Sequence, residues 1–199
     1  MFELFTDSGD KIIYSIKRVK EIFFSVNERL YAPDPDKMVQ LELGHLLGFN
    51  MEMNLVNFTI RVFYHYPEHS QQEVLAEVQV ENLFEVQDLQ KFMTNTGIVI
   101  LPNVLISSIV GISLSHARAL LSKNTAGTSF QEIIIPITNP TEVAKFFFPY
   151  MFEQETEVIQ TDISGNIKAK ETIGKIEKSP QKSRGRVATG KRRPSKNSY

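Results

Sequence analysis

Residues 41–66 read LELGHLLGFNMEMNLVNFTIRVFYHY, and their alternation decides the fold class. From Leu41 to Met53 the odd positions carry Leu41, Leu43, His45, Leu47, Phe49, Met51 and Met53, with Glu42, Gly44, Gly48, Asn50 and Glu52 between them. Residues 54–66 alternate again, setting Val56, Phe58, Ile60, Val62, Tyr64 and Tyr66 against Asn57, Thr59, Arg61 and His65. A period of two belongs to a strand with one buried face. Pro67 ends the second run because it lacks the N–H a ladder needs. After a polar turn at 68–72, residues 73–86 place Val74, Ala76, Val78, Val80, Phe84 and Val86 on one face and Glu73, Leu75, Glu77, Gln79, Glu81, Leu83 and Glu85 on the other. A shorter run, Ile22, Phe24 and Val26, precedes all three. The first half therefore predicts a four-stranded antiparallel sheet with one face buried and one wet, Leu75 and Glu77 lying on the wet face.

Beyond Pro102 the period changes. Leu105, Ile106, Ile109, Val110, Ile112, Ala117, Leu120 and Leu121 follow helical spacing, with Pro102 suited to the first turn and Asn124 with Gly127 to the stop. Ser108, Gly111, Ser115 and Ala119 recur at steps of three and four as a second stripe of small residues, which is either a subunit contact or a solvated face. Asn139-Pro140-Thr141-Glu142 has the form of an N-cap, a proline at N1 and an acid at N3, opening a second helix through Val143, Phe146 and Phe147. Pro149 should end or kink it. The fold class is thus α+β: a sheet packed by a long helix and a C-terminal helix. Three parts are expected, a folded domain over 1–152, a weakly structured connector over 153–174 and a disordered basic tail over 175–199.

Composition narrows the function. The absence of cysteine excludes disulfides, thiolate nucleophiles and Cys-ligated zinc, and fits a reducing cytoplasm. The first residues, MFELFTD, carry acids where a secretory signal needs bases. The most apolar run, Ile98 to Leu114, falls short of the roughly 20 residues that span a bilayer, so no transmembrane segment is expected. The net charge of −1 hides an asymmetry: residues 175–199 hold nine Lys/Arg and the single acid Glu177, a net of +8, while residues 1–174 hold 13 bases and 22 acids, a net of −9. An acidic body invites a basic partner, and a basic tail an anionic one.

Catalytic patterns are missing. His65 and His69 are four apart but separated by Pro67, so they cannot form the helical pair of a zinc site, and His45 and His116 have no ligand-spaced neighbours. Gly111-Ile112-Ser113-Leu114-Ser115 lacks the last glycine of a nucleophile elbow, and there is no phosphate-cradling glycine loop. The expectation is a protein that is not an enzyme and uses no metal or cofactor.

Three segments carry a family likeness: LAEVQVENLFEV (75–86), LPNVLISSIVGISLSHARALLS (101–122) and FQEIIIPITNP (130–140). In order and spacing they resemble the last strand, the Pro-Asn entry to the long helix and the turn before the last helix of the SecB export chaperones. The likeness spans about residues 12–152, with Leu105-Ile106-Ser107-Ser108 standing where the family has an aromatic-proline-tyrosine segment. It implies a homotetramer, a dimer of dimers, that holds unfolded or precursor polypeptides in apolar grooves and delivers them to the ATPase SecA; similar proteins guard single antitoxins. It also implies site residues. His45, Leu46, Leu47, Phe49 and Met51, with Phe146, Phe147 and Tyr150, match the client groove, although core packing is the commoner use of any one of them. Glu21, Leu75 and Glu77 match the SecA contact, where Ser25 replaces a second acid.

The tail competes as a guide to function. Lys182-Ser183-Arg184-Gly185-Arg186 and Lys191-Arg192-Arg193-Pro194 look like degenerate AT-hook repeats, whose arginines enter a narrow minor groove. Arg184, Arg186, Lys191, Arg192 and Arg193 are its candidate anion-binding residues; nucleic acid, an anionic membrane surface and the acidic body are the alternative partners.

Overall fold

The computed structural model describes residues 1–31, 38–67 and 74–153. The chain divides into two compact units, residues 1–158 and 159–199, and the second lies outside the described residues together with the basic tail and its five candidate residues. Among the described residues the sheet has five strands where four were expected: β1 (Phe2–Phe5), β2 (Lys11–Val26), β3 (Gln40–Asn50), β4 (Leu55–His65) and β5 (Val74–Val86), all antiparallel in the order β1-β2-β5-β4-β3. The additional strand comes from a hairpin. Gly9, at φ +86°, donates its N–H to the Thr6 carbonyl, and Thr6 Oγ1 accepts from the Asp10 N–H, so the chain reverses and Phe2 pairs with Tyr14.

Strand β2 is twice interrupted. Its pairing with β5 slips between Ile16 and Arg18 and again between Glu21 and Phe23. Each slip is a bulge, and a bulge moves every later side chain to the other face. Glu21 therefore pairs with Val80, whose side chain faces the helices, and only after the second bulge does Phe24 regain the inner face opposite Val78.

The inner face is covered by α1 (Asn103–Thr125), which packs on β4 and β5. Leu105, Ile106, Ile109, Val110, Leu114, Ala117 and Leu121 are buried in one cluster with Val56, Phe58, Ile60, Val62, Val78, Val80 and Phe84. A fully buried aliphatic or aromatic side chain of this kind contributes about 1.5–3 kcal/mol of transfer free energy. One polar contact crosses the core: the buried Asn82 accepts a 2.7 Å hydrogen bond from His116 Nδ1 and donates to the Phe58 and Val80 carbonyls. Pro102 stands at the N-cap, its carbonyl accepting from the Leu105 and Ile106 N–H groups. At 23 residues, with a mean hydropathy of 1.6 over its most apolar window, α1 is long and apolar enough to cross a membrane, a length that the run 98–114 did not foretell. Only 44% of that window is buried within the chain.

Helix α2 (Pro140–Phe147) opens as expected, Asn139 Oδ1 accepting from the Thr141 N–H with Pro140 at the first helical position. Phe148 breaks the helix ahead of Pro149, and a single turn, α3 (Pro149–Phe152), follows. Helix α2 packs beside α1 at Gly111, where an added Cβ would lie 3.0 Å from the Pro140 ring. The glycine thus admits a helix of the same chain. We expect Gly111→Leu to cost about 1–3 kcal/mol by forcing α2 outward, read as a urea midpoint that falls by the same amount at low and high protein concentration. A loss that depends on concentration would instead place Gly111 between subunits.

Candidate functional site

The residues implied as a client groove meet at the free end of the sheet. In β3 the side chains of Leu41, Leu43, His45, Leu47 and Phe49 pair across to Tyr64, Val62, Ile60, Phe58 and Val56, so they share the face that α1 covers. As the strand farthest from β2, β3 leaves them only half-buried. The His45 ring lies 4.2 Å from Phe147 in a stacked arrangement and 4.7 Å from Phe148 edge-on. Phe147 continues to Phe146, and Phe148 to Tyr150, so five rings form one ledge held against β3. Its inner members, Phe147 and Phe148, are buried, whereas Phe146 is 79% exposed and Tyr150 46%.

Not every implied groove residue joins this ledge. Leu46 is 73% exposed and, paired with Thr59, projects from the opposite face of the sheet. The two-residue period forbids it from facing the same way as His45 and Leu47. Met51 sits in the β3–β4 turn, half-buried and packed against the core. The connector before α2 adds apolar surface that the sequence reading missed. Arg118 donates to the Ile135 carbonyl at 2.9 Å and the Pro136 carbonyl at 2.8 Å, fixing the backbone so that Ile135 is buried while Ile137 is 92% exposed. The cluster Ile133-Ile134-Ile135-Pro136-Ile137 carried that signal, since one extended segment cannot bury every isoleucine on a single surface.

The residues implied for a SecA contact do not share one exposed face. The bulges in β2 turn Glu21 to the helix side, where its carboxylate accepts a 2.6 Å bond from Asn124. Leu75 is buried in the core cluster, and Glu77 is buried beneath a bidentate pair with Arg61, Nε at 2.6 Å and Nη2 at 2.8 Å. The hydrogen bonds from Arg61 hold the Glu77 carboxyl below the usual carboxylate range. The expectation that Leu75 and Glu77 share a wet face is corrected: β5 is a central strand, and its outward side chains are covered by neighbours from both sides. Arg18 pairs with Glu81 at 2.6 Å and Lys17 with Glu85 at 2.8 Å, and the Glu42 carboxylate is hydrogen-bonded to His65 Nε2 at 2.8 Å. The outer face is thus charged but internally balanced, and its acids are not an open field for a basic partner.

Of the small-residue stripe, Ser108, Gly111 and Ser115 line the wall of an open groove of about 940 Å³, with Phe2, Tyr14 and Ile16 from the first two strands opposite them. Buried Ser107 Oγ and Asn103 Oδ1, which also border this groove, have no hydrogen-bond partner among the described residues. Ala119 is exposed and lies beyond the lining. Among the described residues no group of three His, Cys, Asp or Glu side chains could hold a metal ion.

Two outcomes check this geometry. Arg61→Met leaves the buried Glu77 carboxylate without its main donor, and we expect a loss of about 1–3 kcal/mol in urea unfolding near neutral pH; no loss would return Glu77 to the exposed face. Burial holds the imidazoles of His45 and His116 below their ordinary value of 6.5. The unfolded chain then protonates before the folded one, so the stability these neutral rings contribute is complete above about pH 6.5 and is lost as pH falls through the lower folded values. We expect His45→Leu to reduce the fall in unfolding midpoint between about pH 7 and pH 5.5. An unchanged fall would mean that the His45 ring takes up its proton freely within the stack.

No family model matches the chain, and no curated protein matches it by sequence. Among solved structures it is similar to a Mycobacterium tuberculosis SecB-like chaperone determined in complex with a peptide from an antitoxin, at 12% identity over 63% of this chain and 90% of that one, with a TM-score of 0.40.

Proposed function

We propose that the folded body is a chaperone without catalytic activity that holds unfolded polypeptides on the ledge between β3 and α2–α3. The observation that carries this reading is Phe146, a large aromatic side chain left 79% exposed by a helix whose neighbouring Phe147 is locked onto His45. A rigid support that holds an aromatic ring out to solvent serves a binding surface better than a core. Exposed Ile134 and Ile137 on the Arg118-pinned connector add to the same apolar character. Binding of this kind is sequence-tolerant, since apolar contact asks for no particular side chain.

The reading extends to assembly. With less than half of its apolar window buried in the chain, α1 calls for a covering surface. A second copy laid along Ser108 and Ser115 supplies it, and repetition of such contacts gives a homotetramer in the cytoplasm. Delivery to SecA through Glu21, Leu75 and Glu77 is not part of the proposal, since Leu75 is buried, Glu77 is buried beneath Arg61, and Glu21, although exposed, lies on the helix side and is bonded to Asn124. Clients are unfolded or precursor chains in general, or in the narrower form one cognate antitoxin. A second reading makes the body an adaptor and the basic tail, +8 over residues 175–199, the anchor to nucleic acid.

Suppression of the aggregation of a denatured protein tests the choice. We expect Phe146→Ser with Tyr150→Ser to weaken suppression several-fold while changing stability by no more than about 0.5 kcal/mol per site, as for exposed positions. A chain ending near Lys175 should retain full suppression; its loss would move the function to the tail.

A further inference from the structure

Strand β3 is the last strand of the sheet, and among the described residues it pairs with β4 alone. Which of its backbone groups are free follows from the register. The Val86 N–H donates to the Asn54 carbonyl at 2.8 Å, which fixes the hydrogen-bonded pairs of β4 and β5 on the even residues of β4. The odd residues of β4 therefore turn their N–H and C=O groups toward β3, where Thr59 faces Leu46, Arg61 faces Gly44 and Phe63 faces Glu42. That uses the even residues of β3. The N–H and C=O groups of Leu41, Leu43, His45, Leu47 and Phe49 point away from the sheet, along an edge that no strand pairs with among the described residues. These are the same residues whose side chains lean toward the aromatic ledge.

Exposed edges are normally blunted by lysine, proline or a bulge. Residues 38–54 contain no Lys, Arg or Pro, and β3 runs beside β4 through eleven paired residues with no register shift. Gly48 has open space where a side chain would stand, so the outer side of the edge is flat as well.

Building on the holding function proposed above, we propose that the free edge of β3 takes an extended segment of the bound polypeptide as an added strand. The main-chain groups of Leu41 to Phe49 hold the segment, and its alternate side chains fall on the ledge of Phe146, Phe147 and Tyr150. An unfolded chain suits this edge because it still carries unpaired backbone groups in every residue, and strand addition asks nothing of its sequence beyond alternation. Charge narrows the choice. Glu42 is already bonded to His65, but the exposed Glu52 has no Lys or Arg beside it within residues 38–54, so strongly acidic segments are disfavoured.

Amide hydrogen exchange on the full-length protein reads this directly, with reduced and carbamidomethylated ribonuclease A, a basic chain whose blocked thiols add no charge, as a permanently unfolded probe. In the free protein the amides of Glu42, Gly44, Leu46 and Gly48 should be protected and those of Leu43, His45 and Leu47 open. On adding the probe the odd amides should slow by about tenfold or more while the even ones stay as they were. A complex that forms without slowing the odd amides overturns the edge assignment alone. Odd amides already protected in free protein, increasingly so at higher concentration, give the edge to a second copy and also overturn it. If no complex forms, the holding function fails and the edge assignment with it. A paired substitution adds an independent check. Leu43→Pro removes an outward N–H and no ladder bond, so it should weaken probe binding by about fivefold relative to Leu43→Ala, the worth of one main-chain hydrogen bond. Equal binding by the two variants would contradict the proposal.

Discussion

The inner face of the sheet cannot stand in water, and the covering of that face by one long helix sets the position of everything else. Val56, Phe58, Ile60 and Val62 of β4, with Val78, Val80 and Phe84 of β5, form a continuous apolar surface that α1 closes. The polar link from His116 to Asn82 fixes where along the sheet the helix lies, because a buried amide without partners would be costly. Once α1 is placed, Gly111 lets Pro140 approach and α2 settles alongside. Helix α2 then carries Phe147 onto His45, and the ledge at the β3 edge exists only at the end of this chain of contacts.

The two faces of the sheet do different work. On the outer side, cross-strand pairs such as Arg61 with Glu77 and Arg18 with Glu81 balance charge between neighbours, which keeps the face hydrated and offers little net field. On the inner side, apolar cover is complete over β4 and β5 and thins toward β3, beyond which no further strand lies among the described residues. Half-buried side chains, a free backbone edge and exposed aromatic rings therefore coincide at one margin of the molecule.

Much of this was legible in the residues. The alternation from Leu41 to Val86 gave three strands nearly to their ends, and Asn139-Pro140 gave the start of α2. What escaped were features in which one residue changes the meaning of many. The bulges in β2 at Lys17 and Ile22 carry no distinctive residue types, yet they turn Glu21 from the outer face to the helix side. The hairpin at Thr6–Asp10 is marked by Ser8-Gly9, but four residues are too short a strand for periodicity to register. Leu46 followed the same logic in reverse, since neighbouring positions that resemble a site by segment lie on opposite faces of a strand. The ring contacts between β3 and α2 link residues about a hundred positions apart, a proximity that no local pattern contains.

The central claim is that the folded body takes up unfolded chains on apolar surface. Its most direct test is the mass of the native particle by light scattering after size exclusion, alone and with a slowly refolding denatured protein, at low and high salt. The account predicts a multimer that gains the mass of the client and keeps it at both salts, because apolar contacts persist where ionic ones are screened. A particle that ignores the client, or releases it as salt rises, would contradict the account and leave the basic tail as the better guide to function.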